Sequence, residues 1–213
     1  MEPFCWNKLA DAYAFFGNTL LRPMTQTSDI GLDPSFWESF PDFGSEKAKE
    51  ACRKCADFAE RMKPLGIDAA KHRIAVEYTA LFIGPPSPAA EPWETFYQDA
   101  PATAGFGQPA HDMARILAEN GLSVQTENNQ YPDHIGIELL CLSVLCRSAA
   151  AGGQDAEGHA DDFARVHPLA WIAKLESKTA AARPEGYYRL VIGVVRSILE
   201  WQEERMKTAR GRA

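Results

Sequence analysis

The chain has 213 residues, 46% of them hydrophobic, and a formal net charge of −7 at pH 7. A chain of this length and composition can fold around a buried core, which excludes a largely disordered protein. The negative charge repels phosphate backbones, so it argues against nucleic-acid binding and favours weak, salt-dependent attraction of basic peptides.

Apolar residues recur at steps of three and four through the first half of the chain, which predicts a series of helices. In chain order these are a helix carrying Trp6, Leu9, Tyr13, Phe16 and Leu20, a short helix after Asp33-Pro34, a helix capped by Ser45, and helices over 68–82 and 109–120. Gly121 suits the position after a helix end. A proline-rich loop over 84–92 separates the last two of these helices, and long loops in compact domains are often functional.

The second half of the chain is also predicted to be helical. A polar stretch over 123–131 predicts a hinge, and a helix beginning near Asp133 is apolar on several faces, which predicts a central, buried helix. Three further helices are expected, over 160–166, 168–179 and 184–207. The predicted fold class is therefore all-α, a bundle of roughly eight to ten helices. We expect a single domain over 1–213, with an N-terminal half over about 1–121, a hinge over about 122–132 and a C-terminal half over about 133–213.

The sequence predicts a cytoplasmic protein without stable membrane insertion. Its start lacks a basic region followed by an apolar run, and the late apolar run over 190–199 is interrupted by Arg196. The five cysteines are an odd number and are expected to be reduced. Cys52 and Cys55 lie within a helical pattern, without the turns of a zinc site or the strand of a thioredoxin site, so we expect small buried side chains there.

Two segments have a pattern that is typical of one protein family. The first box runs from Glu77 to Pro85 and continues, after the proline-rich loop, over 91–97; the second runs over 131–139 and contains Asp133-His134. These boxes resemble the TorD/DmsD/NarJ superfamily of redox-enzyme maturation chaperones. The first box of the family has an aromatic residue, any two residues and Leu-Phe, then a Gly-Pro break, and later Pro-Trp followed by Glu or Gly and Ser-Val-Tyr. The second box is Glu-Pro-x-Asp-His. Here Thr95-Phe96 stands where Ser-Val is usual, and the second box is shortened.

The resemblance implies a TorD-like helical fold and a chaperone that is not an enzyme and has no cofactor. The implied partner is the catalytic subunit of a molybdopterin oxidoreductase. It is held by its N-terminal leader, often of twin-arginine type, or in its apo form, or both, until its cofactor is inserted. A monomer and a domain-swapped dimer both stay open. The family's peptide-contacting residues correspond here to Tyr78, Leu81, Phe82, Pro92, Trp93, Asp133 and His134.

Such residues suit a twin-arginine leader, which combines two arginines with an apolar stretch. The carboxylate of Asp133 could receive a guanidinium, and three aromatic side chains offer large, stiff apolar area: Trp93, Phe96 and Tyr97. Glu138, one helical turn after His134, completes the candidate peptide site. Burying ~400 Å² of apolar leader surface would contribute ~10 kcal/mol before the cost of ordering the peptide, so a micromolar complex is expected.

Other interpretations of the same residues stay open at this point. The aromatic and leucine positions of the first box also fit a plain core, and Trp93 could be a lid packed on the bundle. Asp133 could cap its own helix, and His134 could bond the backbone in the first turn. The alternative function is a metal- or cofactor-binding helical protein using His134 and Glu138, although no second ligand pair stands out. A hydrolase using Asp133-His134 would lack any recognisable nucleophile motif.

Overall fold

Helices follow the apolar periodicity through most of the chain. The structure, a computed structural model, describes residues 5–98, 106–124 and 130–210, and within these ranges it holds nine α-helices and no strand. The predicted all-α fold is confirmed. None of the described helices is long and apolar enough to cross a membrane. The helices are α1 (Trp6–Leu21), α2 (Pro34–Glu38), α3 (Glu46–Met62), α4 (Ile67–Tyr78), α5 (Gln108–Glu119), α6 (Ile135–Ala150), α7 (Ala156–Val166), α8 (Pro168–Ala182) and α9 (Tyr187–Arg210).

Local signals in the sequence set several helix ends. The Asp33 side chain accepts a hydrogen bond from the amide of Ser35, with Pro34 in the first turn of α2. Ser45 accepts from the amide of Ala48 at the start of α3. Gly121 follows α5 with a φ of 67°, a left-handed conformation that glycine adopts without steric cost. These caps were predicted from residue type alone, and they are confirmed.

The chain divides into two compact units, each made of two separate stretches of sequence. Unit 1 comprises Met1–Leu21 and Pro92–Trp171, and unit 2 comprises Arg22–Glu91 and Ile172–Ala213. Helix α8 begins in unit 1 and continues into unit 2. This division differs from the expected halves around a hinge over 122–132, which stay a prediction; residues 125–129 of that hinge lie outside the described residues.

Unit 1 is built on the close contact of α1 with α6. A Cβ atom on Gly17 would lie 2.8 Å from the carbonyl oxygen of Gly136 and 2.8 Å from Leu140 Cγ, so glycine lets the two helices approach closely. The Ser143 hydroxyl donates to the carbonyl oxygen of Ala10, 2.7 Å away, across the same contact. Most residues of α6 are buried, as its apolar pattern predicted. Helix α6 therefore forms the centre of this unit.

Unit 2 packs α3 against α9. The rings of Phe58 and Tyr187 lie 5.7 Å apart between these helices. The Glu77 carboxylate, from α4, accepts hydrogen bonds from the amides of Tyr187 and Tyr188 at 3.1 and 2.9 Å. These are orphan donors of the first turn of α9, so Glu77 caps a helix more than one hundred residues along the chain. Burial raises the pKa of Glu77, and the two amide donors oppose that effect.

The cysteines are all unpaired, and four of the five lie in the protein interior. Cys52, Cys55, Cys141 and Cys146 are buried, whereas Cys5 is exposed. Burial raises the pKa of Cys52 and of Cys141 to about 12. Such thiols stay protonated at neutral pH, so they pack as small apolar side chains. The expectation for Cys52 and Cys55 agrees with this placement.

Candidate functional site

The Pro92-Trp93 segment of the first box and the Asp133-His134 segment of the second lie side by side in unit 1. Trp93 and His134 form an isolated antiparallel bridge. The amide of Ile135 donates to the carbonyl oxygen of Pro92 at 2.9 Å, and the amide of Glu94 donates to that of Asp133 at 3.0 Å. A short 3-10 turn, Glu94–Tyr97, follows directly after the bridge. The fold thus joins two sequence motifs that are forty residues apart in the chain.

Asp133 faces inward and fixes that turn. Its Oδ2 accepts from the Thr95 amide at 2.9 Å and from the Thr95 hydroxyl at 2.5 Å, and the residue has no exposed surface. Burial raises the pKa of Asp133, and the hydrogen bonds from Thr95 act in the opposite direction. The carboxylate does not cap α6, so the interpretation of Asp133 as an N-cap was wrong. Instead of capping its own helix, Asp133 accepts hydrogen bonds from Thr95 in a distant segment.

His134 is the residue that caps α6. Its Nδ1 accepts a hydrogen bond from the amide of Gly136 at 3.0 Å, which assigns the proton of the neutral ring to Nε2. Burial lowers the pKa of His134 to about 3, so the imidazole is neutral at physiological pH. The expected backbone bond of His134 is present. The tautomer is set by the backbone of Gly136 rather than by Glu138.

A second group of buried polar side chains lies in the same unit. Glu138 Oε2 accepts from the indole Nε1 of Trp171 at 3.1 Å. Glu94 Oε2 and His167 Nδ1 are 3.0 Å apart. One carboxyl oxygen of Glu138, one of Glu94 and a ring nitrogen of His167 lie within 4.8 Å of one another. Burial, reinforced by the neighbouring negative charge of Glu94, raises the pKa of Glu138. Two carboxyls and an imidazole therefore lie close together, buried away from solvent.

An aromatic row borders the bridge and reaches the surface. Along it, the ring centroids of Phe96 and Trp93 are 5.9 Å apart, those of Trp93 and Tyr131 are 6.0 Å apart, and those of Tyr131 and Phe106 are 5.7 Å apart. Trp93 and Phe96 are half-buried, while Tyr131 and Phe106 are 37% and 53% exposed. This row presents stiff apolar area to solvent, which is what a binding surface for an extended peptide requires.

Comparison with known proteins identifies the chain's relatives. A family model described as nitrate reductase delta subunit matches residues 45–177, which include both boxes. The chain belongs to the nitrate reductase delta subunit family. This agrees with the resemblance to the TorD/DmsD/NarJ chaperones, which is confirmed.

Three relatives of the chain have names that describe them as chaperones. Chaperone protein TorD of Shewanella pealeana is 25% identical over 185 residues, covering 78% of this chain and 81% of the relative. The probable Tat proofreading chaperone DmsD of Haemophilus influenzae is 26% identical over 133 residues, covering 62% of each chain. Chaperone protein TorD of a Psychrobacter species is 24% identical over 143 residues, covering 66% of this chain and 63% of the relative.

The start of the family's first box lies in unit 2 and forms part of its core. Tyr78 ends α4, and Leu81 and Phe82 lie in the π turn Thr79–Ile83 that continues it, so the predicted helix to 82 changes its hydrogen-bond pattern after 78. All three side chains are buried. The rings of Tyr78 and Phe82 each contact Tyr188, with centroids 5.3 and 5.4 Å away. These contacts favour the plain-core interpretation of this part of the box.

The remaining predicted residues belong to unit 1, and most support the site from within. Pro92 is buried, and its carbonyl accepts from α6. The Tyr97 ring stacks on that of Trp171, with centroids 4.9 Å apart. Glu138 has no exposed surface. Of the nine residues predicted to contact a peptide, Trp93 is the one with more than marginal exposure.

Besides Phe106 of the aromatic row, sequence reasoning missed four buried residues of the site. Glu94 and Thr95 follow Trp93 directly, so the first box held a signal for them, although nothing in it indicated that they face inward. His167 and Trp171 lie more than seventy residues away in sequence from Glu94, and their spacing contains no recognisable motif. Their assignment depends on how α7 and α8 pack, which periodicity alone does not determine.

Proposed function

We propose that the protein is an assembly chaperone for the catalytic subunit of a molybdopterin oxidoreductase, which it holds by the N-terminal leader until the cofactor is inserted. Family membership together with the chaperone names of TorD and DmsD supports this function. The observation that carries the proposal is the direct pairing of the Pro92-Trp93 and Asp133-His134 boxes beneath a partly exposed aromatic row. A binding function, not catalysis, suits this arrangement, and we expect it to take place in the cytoplasm.

The apolar part of a leader would pack along the aromatic row. Phe106 and Tyr131 supply the exposed area, and Trp93 and Phe96 form its half-buried end. Aromatic side chains lose little rotamer entropy when a peptide covers them, so they contribute well to a complex that must later dissociate. The expected affinity is micromolar because ordering the flexible leader offsets much of the apolar gain.

The arginine pair needs a carboxylate that solvent can reach. Asp133 is fully buried and bonded to Thr95, so we assign it to positioning the 3-10 turn instead of contacting a guanidinium. Asp112 on α5 is a better candidate, because its side chain is 38% exposed and it follows His111, whose ring contacts Phe106 at 4.6 Å. The chain's net charge of −7 would also attract a basic leader.

The function is tested by purifying the tagged protein from its native host, grown anaerobically, and identifying its partners by mass spectrometry. We expect a molybdopterin oxidoreductase subunit that is lost when its N-terminal leader is deleted. Co-purification that persists without the leader would move the interaction to the body of the client. Absence of any such subunit would contradict the chaperone proposal.

The surface is tested by titrating a twin-arginine leader peptide in a calorimeter. Trp93→Ala and Phe106→Ala are each expected to weaken binding by about tenfold or more, because each removes an aromatic contact. Trp201→Ala, at a half-buried tryptophan of unit 2, is the matched control and should bind as the unmodified protein does. If all three variants bind equally, the leader does not use the aromatic row, even where the client experiment succeeds.

A further inference from the structure

The buried polar group of unit 1 has the composition of a metal site. Glu94 comes from the 3-10 turn, Glu138 from α6 and His167 from the junction of α7 and α8. One ligand atom from each residue lies within 4.8 Å of the other two. All three residues are buried, with exposed fractions of 6%, 0% and 7%. Three separate segments thus converge on one small, desolvated space.

One oxygen of this group lacks a donor. Glu138 Oε2 accepts from Trp171, whereas the fully buried Oε1 has no hydrogen-bond partner among the described residues. An unsatisfied buried carboxylate oxygen is costly, and a carboxyl oxygen of Glu94 lies within 4.8 Å of one of Glu138. A divalent cation would neutralise both carboxylates and would also be coordinated by the unpartnered Oε1 of Glu138.

We propose that Glu94, Glu138 and His167 bind a divalent transition-metal cation, with Zn²⁺ as the best-fitting ion. One imidazole nitrogen and two carboxylate oxygens are ligands that Zn²⁺ accepts, at about 2.0–2.2 Å each, and three protein ligands leave a fourth position open. Donors at that distance from a tetrahedral ion are roughly 3.3 Å apart, so modest side-chain rotation from the present spacing suffices. Trp171 then holds Glu138 in place from outside the ligand set.

The site differs from the metal-binding alternative that the sequence suggested. That alternative paired His134 with Glu138, but His134 Nδ1 is engaged by the amide of Gly136 at the start of α6. Glu138 is common to both, and its partners are instead Glu94 and His167. The proposed site is independent of the chaperone function, because it uses none of the aromatic row.

The test measures metal content and affinity directly. Because the site is buried, the protein is unfolded in chelator, refolded with Zn²⁺, desalted and analysed by mass spectrometry for metal; competition with a chromophoric chelator then gives the affinity. All samples carry Cys5→Ser, which removes the exposed thiol as a second zinc ligand. We expect about one Zn²⁺ per chain and, with Co²⁺ instead, visible absorption of a coordinated ion.

The variants are chosen to keep the fold. Glu138→Gln and His167→Gln each remove a ligand while retaining hydrogen-bonding capacity, and each should lower Zn²⁺ affinity by more than about tenfold. His159→Gln, at an exposed histidine of α7, is the matched control and should bind as the parent does. Glu94→Gln provides an independent ligand variant should another fail to refold. A parent protein without bound Zn²⁺, or ligand variants that bind it as tightly as the parent, would overturn the proposal.

Discussion

His134 makes a sharp prediction about stability and pH, because it is a neutral imidazole buried at a helix start. Its Nδ1 caps α6 through the amide of Gly136, and it has no exposed surface. Burial lowers its pKa from 6.5 to about 3. The unfolded chain therefore takes up a proton on this ring as pH falls below about 6.5, while the folded protein does not. Folding stability from His134 is present above that pH and is lost as pH falls towards 3.

The size of the effect follows from proton linkage. With an unfolded pKa of 6.5 and a folded value of about 3, the protein should lose about 2 kcal/mol of unfolding free energy from this residue between pH 8 and pH 5. His134→Asn keeps a good N-cap but has no titrating group. The variant should be less stable at pH 8, because the packed ring is lost. Its deficit relative to the unmodified protein should then shrink by about 2 kcal/mol at pH 5.

Urea denaturation followed by circular dichroism, at several pH values from 8 to 5, measures that deficit. His111→Asn is the matched control, since it removes an imidazole from an exposed position of the same unit. The change of its stability deficit with pH is the baseline against which the change for His134→Asn is compared. A deficit for His134→Asn that stays the same from pH 8 to pH 5 would show that the ring does not stay neutral when folded, and the reasoning would fail.

Two further predictions concern helix packing and the hydrogen bonds of Asp133. Gly17→Ala should lower the free energy of unfolding by about 1–3 kcal/mol, because its Cβ would press on the backbone of α6. The control is Gly158→Ala, in a helix with open space around it, which should be neutral or slightly stabilising; equal urea midpoints for the two variants would contradict the close contact. Thr95→Val should lower the free energy of unfolding, measured by thermal denaturation, by about 1–3 kcal/mol, because it removes a donor to buried Asp133. Thr79→Val, at an exposed threonine, is the control and should change that free energy little. A Thr95 variant as stable as the Thr79 variant would refute that interpretation.

Much of the secondary structure was predictable because its determinants are local. Asp33, Ser45 and Gly121 set helix ends through contacts within four residues, so residue type and spacing indicated them. The apolar faces of α6 predicted its buried position for the same reason. The two family boxes, being short motifs, were also visible in the sequence, together with the family they indicate.

The site itself depended on contacts between distant segments. Asp133 and Thr95 are 38 residues apart, and the Asp133 carboxylate accepts hydrogen bonds from Thr95 instead of from the first turn of α6. The residue that caps α6 is therefore His134. A sequence pattern can show that a residue type is able to cap, but competition between a local and a distant donor is decided only when both are present in space.

Sequence alone thus determined that the chain is all-α and where most helices begin and end, because periodicity and capping act over a few residues. It also indicated the family, because the two boxes are short motifs. Only the tertiary structure decided which polar side chains turn inward. It placed most of the predicted contact residues in the cores of the two units and left the aromatic row at the surface. It also brought Glu94, Glu138 and His167 together. Which polar side chain is covered depends on how the helices pack, and the sequence of one segment does not specify which other segment will cover it.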